Sequence, residues 1–360
     1  MAPATTVKRW SARGGQCVLV ADPGQGAGQG VAGRSGREHG GPAVLRSEDV
    51  PVPVPAPGEV LVRVHAVGLN PPDWYVRDGM TNVPAELRPT FDLPLIPGSD
   101  VSGVVEAVAA GVDGFAIGDE VFGMVRFPRI GSAYAEYVTA PAADLAPKPA
   151  GVDHVRAAAV PMAGLTAWQF LIDPGHDRPS PFQAAPHRPV PLDAGTTVLV
   201  NGAAGGVGHL AVQLAKWRGA RVIAVASAGH DAFLRELGAD QVIDYTSVKP
   251  EEVAGDVDLV LDAVGGPGSH RFLRTIKRSG ALFPVFLASI DPGEAARRDI
   301  TVSALQVQPN GAQLAELGRL LEAGTVRVRI DSTFPLADAA KAHERAAEGH
   351  LRGKLVLTVV

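Results

Sequence analysis

The stretch TVLVNGAAGGVGHLAVQLAKWRGARVIAVAS, residues 197 to 227, sets a glycine-rich turn between an apolar strand and an apolar helix, with a second strand behind them. Gly202, Gly205 and Gly208 form G-x-x-G-x-x-G directly after TVLV, with Ala203, Gly206 and Val207 between them. Gly202 allows a tight turn, Gly205 lets backbone N–H groups approach a pyrophosphate, and Gly208 lets helix and strand pack closely. The helix N-terminus then faces the anion with unpaired donors. A tight turn in any α/β sheet also uses glycine, but strand, spacing and helix agree here, which favours a dinucleotide cradle.

The same strand and helix rhythm continues beyond this unit. The sequence predicts helix 206–217, strand RVIAVA, helix 231–237, strands QVIDY and DLVLDAV, helix 270–278 and strand ALFPVF. Such alternation implies a parallel sheet covered on both faces. Near Thr301 the rhythm stops, and helix 311–323, strand VRVRI, helix 336–347 and strand KLVLTVV are expected to follow. Upstream, from Val44 to about residue 160, the texture is different: EVLVRVHAVGLN alternates valines with Arg63 and His65, and DVSGVVEAV, DEVFGMV and GSAYAEYVTAP are short runs separated by Pro and Gly. Period-two runs with turn residues between them predict a small barrel-like or sandwich-like β domain.

Two segments stand apart. Residues 1 to 37 are glycine-rich with scattered arginines and are expected to be mostly poorly ordered; Gly24, Gly26 and Gly28 follow only the brief CVLVA run and open no helix, so they do not read as a nucleotide loop. Residues 173 to 191 carry six prolines and read as a long loop. His176 and His187 within it lack a third metal ligand and read as solvated.

Composition narrows the partners. A 360-residue chain with 46% hydrophobic residues, 20% charged residues and a formal net charge of −5 reads as a two-domain globular protein with no electrostatic footprint for nucleic acid. Its one cysteine, Cys17, excludes an intrachain disulfide and a cysteine metal cluster, and fits a reducing, cytoplasmic setting. The longest apolar runs fall short of the roughly 18 residues that suggest a membrane span.

The end of the second strand separates NAD from NADP. An Asp or Glu there binds the ribose 2′-OH and repels a 2′-phosphate. Positions 225 to 229 are Val, Ala, Ser, Ala and Gly, while Ser227 can donate a hydrogen bond to a phosphate and His230 can add positive charge. The expected cofactor is therefore NADP(H).

Seven segments in order, GGPAVLRSEDVPVPVPAPGEVLVRVHAVGLNPPDW (40–74), PLIPGSDVSGVVEAV (94–108), GDEVFG (118–123), AAAVPMAGLTAWQFL (157–171), NGAAGGVG (201–208), LGADQVIDY (237–245) and RGKLVL (352–357), make the chain resemble the medium-chain dehydrogenase/reductase superfamily. The similarity is to its zinc-free quinone oxidoreductase, or zeta-crystallin-like, branch. It implies an α/β fold: a GroES-like β-barrel catalytic domain from residues 38–160 and 308–360, and a Rossmann doubly wound parallel-sheet cofactor domain from residues 161–307. Where zinc alcohol dehydrogenases carry Gly-His-Glu, this chain has Gly98-Ser99-Asp100, and the four-cysteine zinc lobe has no counterpart. No metal is expected.

By position in the family, Asn70 and Tyr75 carry over as residues near the nicotinamide and substrate. Thr166 corresponds to a residue facing the nicotinamide end, Val264 and Gly265 to the turn over the adenosine side, and Arg352 and Lys354 to a positive edge of the cleft. The resemblance implies hydride transfer from NADPH to a quinone or to the activated C=C bond of an enone. The family's 2-enoyl thioester reductases carry a tyrosine proton donor where this chain has Thr81, which counts against that reading and leaves the proton donor unassigned. Two alternatives remain open: an enoyl thioester reductase of polyketide or fatty-acyl biosynthesis, and a non-catalytic NADPH-binding protein with a structural or sensory role. The family also implies a homodimer formed through an edge strand, for which TVSALQV (301–307) is the candidate. Two features depart from the family: the polar, glycine-rich VAGRSGRE, where a first apolar strand is usual, so that this strand is either supplied by another part of the arm, with CVLVA the candidate, or weak; and the proline-rich segment.

Overall fold

The computed structural model describes residues 15–19, 39–178, 180 and 186–359. Strand β1 (Gly15–Leu19) pairs antiparallel with β2 (Leu45–Asp49), so the strand set against β2 comes from the arm, around Cys17. The remainder of that arm lies outside the described residues.

The β domain begins with β3 (Glu59–Gly68), α1 (Pro71–Arg77), β4 (Asp100–Val108), β5 (Glu120–Met124), β6 (Tyr137–Pro141) and β7 (Leu145–Pro147). Two helices, α2 (His154–Ala158) and α3 (Pro161–Leu171), lead out of it. Every residue of α3 is buried, as expected of an apolar helix covered all round.

The parallel layer follows: β8 (Thr197–Asn201), α4 (Gly208–Trp217), β9 (Arg221–Ala226), α5 (Asp231–Glu236), β10 (Gln241–Asp244), α6 (Pro250–Val253), β11 (Val257–Asp262), β12 (Ile276–Pro284), α7 (Pro292–Arg297) and β13 (Thr301–Val302). The chain then adds α8 (Gly311–Glu322), β14 (Ile330–Pro335), α9 (Ala339–Ala347) and β15 (Lys354–Thr358).

Strand order decides where a ligand can sit. The six parallel strands run β10-β9-β8-β11-β12-β13, so the order reverses between β8 and β11 and a crevice opens at their carboxyl ends. The other sheet runs β14-β15-β3-β4-β5-β7, with β6 on β3, so the last strands of the chain return to the β domain. Strand β15 pairs antiparallel with β3 through Val356 and Gly68. That return brings the RGK segment to the crevice.

Three local expectations are corrected. Residues 276–278, expected in a helix, open β12, and the segment before them is a 3-10 turn over Ser269–Arg274. The strand expected at VRVRI starts only at Ile330, because Arg327 exchanges two backbone hydrogen bonds with the Gln213 side chain of α4 instead of joining a ladder. The strand expected over 301–307 is confined to Thr301–Val302. Beyond it, the Gln308 backbone N–H donates to the Gln169 side chain of α3, which draws the chain off the sheet edge.

Candidate active site

The glycine turn stands at the mouth of the crevice. A Cβ on Gly208 would lie 2.2 Å from the Gly202 carbonyl oxygen, and one on Gly202 would lie 2.8 Å from the Val264 side chain. Gly202 also has φ +74, a backbone state that disfavours other residues. A Cβ on Gly205, by contrast, meets only the Gly202 oxygen, at 3.3 Å. Two glycines are thus packing requirements, and the third keeps a face open. Among the described residues the N–H groups of Gly206, Val207 and Gly208 find no acceptor, which leaves three donors at the start of α4 for an external anion.

Two buried side chains hold this geometry, and neither stands out in the sequence. His209 Nδ1 bonds the Gly205 carbonyl oxygen at 2.8 Å, and its Nε2 accepts the Arg329 N–H at 3.2 Å. Accepting at Nε2 leaves the proton on Nδ1, and burial pushes the imidazole down to about 4, so the ring is neutral. Asp262, at the end of β11, accepts from the Asn201 amide at 2.7 Å, the Ser269 hydroxyl at 2.5 Å and the N–H groups of Val264 and Gly265 at 3.1 and 3.0 Å. It ties the two facing turns together. A carboxylate closing the apolar run DLVLDAV was the available signal for it.

The β domain supplies the opposite wall. Gly353 N–H donates to the Ala204 carbonyl at 2.8 Å, and the Lys354 stem packs against Gly206, where a Cβ would come within 3.0 Å of Cδ. Lys354 Nζ donates to the Leu69 carbonyl at 2.5 Å and to Asn70 Oδ1. Asn70 Nδ2 in turn donates to Asp100 Oδ2 at 2.9 Å, so both ends of the amide are oriented by their partners. Both Asp100 oxygens accept the Met162 N–H, at 2.9 and 3.0 Å, which anchors the N-terminus of α3. Asp73 accepts the Asn70 N–H at 2.9 Å and so caps α1. Burial pushes Asp73 up to about 7 and Asp100 up to about 6, and it pushes Lys354 down.

Asn70, Trp74, Ala163, Gly202, Gly205, Gly206, Gly208 and Lys354 together line a cavity of about 180 Å³. Thr166 is buried in α3, one turn beyond Ala163, and is not part of this lining. Tyr75 lies against Phe286, with ring centroids 5.3 Å apart, and burial pushes its hydroxyl up. Phe286, which follows β12, is a wall residue that sequence reading missed. Next to it a larger, open cavity of about 530 Å³ runs between Thr81, Val83 and Arg88 of the β domain and Gly266, Leu287 and Ser289 of the parallel layer.

At the far end of the crevice the structure joins residues from both domains. Arg352 Nε donates to His230 Nδ1 at 3.1 Å, and Nη2 donates to the Gly229 carbonyl at 2.6 Å. Ser227 precedes them at the end of β9. Burial, and then the Arg352 charge, lower the His230 ring. Arg352 therefore belongs with Ser227 and His230, while Lys354 belongs with the glycine turn. Val264 is largely exposed at the turn above Gly202. Within the proline-rich segment, His187 is buried, not solvated: Nδ1 bonds the Ser303 hydroxyl at 2.5 Å and Nε2 the Phe170 carbonyl oxygen at 3.0 Å.

No group of three His, Cys, Asp or Glu side chains among the described residues could hold a metal ion, and none of their helices is long and apolar enough to cross a membrane.

Comparison with known proteins agrees with this architecture. Residues 56–150 match the alcohol dehydrogenase GroES-like domain, and residues 237–357 match the zinc-binding dehydrogenase family. The chain is 33% identical over 335 residues to the chloroplast envelope quinone oxidoreductase homolog of Arabidopsis thaliana, covering 88% of this chain and 95% of that protein. It is 32% identical over 333 residues to the chloroplastic NADPH-dependent alkenal/one oxidoreductase of the same plant, covering 89% and 77%. Among solved structures, the quinone oxidoreductase from Coxiella burnetii superposes with a TM-score of 0.80 at 33% identity, covering 96% of this chain and 99% of that one. The chain belongs to the medium-chain dehydrogenase/reductase superfamily, in its quinone oxidoreductase branch.

Proposed function

We propose that this protein is an NADPH-dependent, metal-free reductase that transfers a hydride to a quinone or to the activated C=C bond of an enone. The observation that carries this reading is the spanning arrangement of the cleft, with three free N–H groups and Lys354 at its centre and Ser227, His230 and Arg352 at one end. These groups match a pyrophosphate and a ribose 2′-phosphate in charge and in order. The open face of Gly205 leaves room for the backbone approach a pyrophosphate needs. When bound, NADPH supplies the hydride.

The chain's own residues would bind, orient and exclude water. Gly202, Ala203, Gly205, Gly206, Val207 and Gly208 form the cradle, with Lys354 above it. Val264 and Gly265 form the lip on the adenosine side, and Thr166 supports the nicotinamide side from within α3. Asn70, fixed at both ends of its amide, presents a rigid wall to the nicotinamide and substrate. Tyr75 and Phe286 close the apolar side, where a conjugated ring can stack. Because conjugation spreads the developing negative charge onto an oxygen, nearby donors can stabilise it without a metal. Asp100, at the position of a zinc-ligand motif in related dehydrogenases, has both oxygens committed to Met162 and Asn70.

In the same reading, residues 38–160 and 308–360 form the catalytic domain and residues 161–307 the cofactor domain. The active unit is a cytoplasmic homodimer paired near β13. A screen of a quinone, a cyclic enone and an enoyl thioester, each with NADPH and NADH, tests the function. Oxidation of NADPH with the quinone or enone supports it. Turnover confined to the thioester favours the acyl-reductase alternative, and binding of NADPH without turnover favours a sensory or structural role.

A further inference from the structure

Behind the cleft wall lie three buried ionisable groups that cofactor binding alone does not explain. Asp73, Asp100 and Lys354 are each nearly inaccessible to solvent. Two carboxylates therefore share one ammonium. No direct hydrogen bond joins Lys354 to either carboxylate; Asn70 stands between, taking the ammonium on Oδ1 and giving Nδ2 to Asp100 and its backbone N–H to Asp73.

The other groups facing the cluster do not balance it. Met162 on α3 contributes only an N–H to Asp100. On the far side, Arg77 Nη1 bonds His343 Nδ1 at 2.9 Å, His343 Nε2 meets the Tyr134 hydroxyl at 2.9 Å, and that hydroxyl donates to Asp73 at 3.3 Å. Arginine can only donate, so His343 accepts at Nδ1, carries its proton on Nε2 and passes the polarity through Tyr134 to Asp73. The Arg77 charge is itself taken by Asp78 at 2.5 Å. From α4, His209 faces Lys354 as a neutral ring with both nitrogens occupied. With every member ionised, the Asp73–Asp100–Lys354 cluster keeps one unbalanced negative charge in an interior that screens it poorly.

We propose that binding of a dinucleotide at the glycine turn is coupled to uptake of a proton by the buried Asp73 and Asp100 pair. This rests on the reading that the turn holds a pyrophosphate. The two negative charges of that group would settle on the free N–H groups of Gly206, Val207 and Gly208, beside the Lys354 stem. They compete for the ammonium that compensates the carboxylates and add like charge nearby, and both effects favour the protonated carboxyl. Burial already holds Asp73 at about 7 and Asp100 at about 6, so the cluster titrates where a modest added field changes its occupancy. Affinity for the cofactor accordingly falls as pH rises across that range.

The test is titration calorimetry of the full-length protein with ADP-ribose, which carries the pyrophosphate but neither a titrating 2′-phosphate nor the nicotinamide. Near neutral pH, in buffers of widely different ionisation enthalpy, the expected result is uptake of about half a proton or more per ligand, with a Kd that rises with pH. Asp73→Asn and Asp100→Asn each reduce the uptake. Binding of ADP-ribose with buffer-independent heat and a pH-independent Kd overturns the proposal while leaving the cofactor reading intact, and the unmodified protein alone decides this if the variants do not fold. Uptake that persists undiminished in both variants overturns it as well, assigning the proton elsewhere, with His209 another buried group beside Lys354. Failure of both ADP-ribose and NADPH to bind overturns the cofactor reading and the proposal with it.

Discussion

Arg352 and Lys354 are two positions apart in the sequence, yet their charged ends reach different parts of one cleft. The Arg352 guanidinium reaches His230 and Gly229 at the end of β9, and the Lys354 ammonium turns inward onto Leu69 and Asn70. Their loss should differ accordingly. Arg352→Ala should raise the Kd for NADPH by roughly tenfold or more, the worth of a charge-assisted phosphate contact, while leaving NADH binding close to unchanged. Fluorescence titration with both cofactors checks this, and an equal loss for both would remove Arg352 from the 2′-phosphate site. Asp73 gives a second prediction, through stability. Its folded carboxyl is raised by burial to about 7 from an ordinary value of 3.8, so the native state holds a proton that the unfolded chain has released. The stabilisation is fully present below the unfolded value and is lost as pH rises through about 7, and Asp100 adds the same trend through about 6. Buried neutral imidazoles such as His209 contribute the opposite trend on the acid side, so the readout is a difference: the urea midpoint of Asp73→Asn relative to that of the unmodified apo protein should rise as pH increases toward and through about 7. A difference that stays constant over this interval would contradict the burial argument.

At the scale of elements, the parallel layer was largely legible because its signals are local. A strand, G-x-x-G-x-x-G and a helix occupy one continuous stretch, and the fall from β9 into Ser227 and His230 lies on the same unit. The wall formed by the β domain was legible only by resemblance. Lys354 meets Asn70 across 284 positions of chain, and Arg77 meets His343 across 266, separations at which no periodicity operates. Asp262 and His209 escaped notice for a different reason: a buried polar residue in an apolar run looks like an interruption until its partners are visible. The proline-rich segment was misjudged in the same way. Its described residues carry no helix or strand, as the prolines predict, but His187 fastens them to the protein through Ser303 and Phe170, packing on Phe283 with ring centroids 4.5 Å apart. His187→Ala should therefore cost about 2–4 kcal/mol, from a lost ring contact and a stranded Ser303 hydroxyl. Chemical denaturation reads the loss, and cofactor affinity should stay within twofold of the unmodified protein, since His187 touches none of the cleft residues.

At the scale of the whole molecule, the two domains meet along one crevice whose floor is the glycine turn and whose roof is the last strand of the chain. Backbone contact from Gly353 to Ala204, and the paired bonds between Gln213 and Arg327, hold roof to floor without closing the larger cavity beside Tyr75 and Phe286. Such a frame can bind a cofactor in the covered part and admit a flat conjugated substrate through the open part. The function proposed for it depends on NADPH and on no metal. Steady-state oxidation of NADPH with a quinone and with a cyclic enone, repeated with NADH and after exhaustive treatment with a chelator, tests both statements at once. The expected result is turnover with at least one acceptor, a kcat/KM for NADPH at least about tenfold above that for NADH, and no loss after chelation. Preference for NADH, or activity that disappears with the chelator and returns with added zinc, would contradict it.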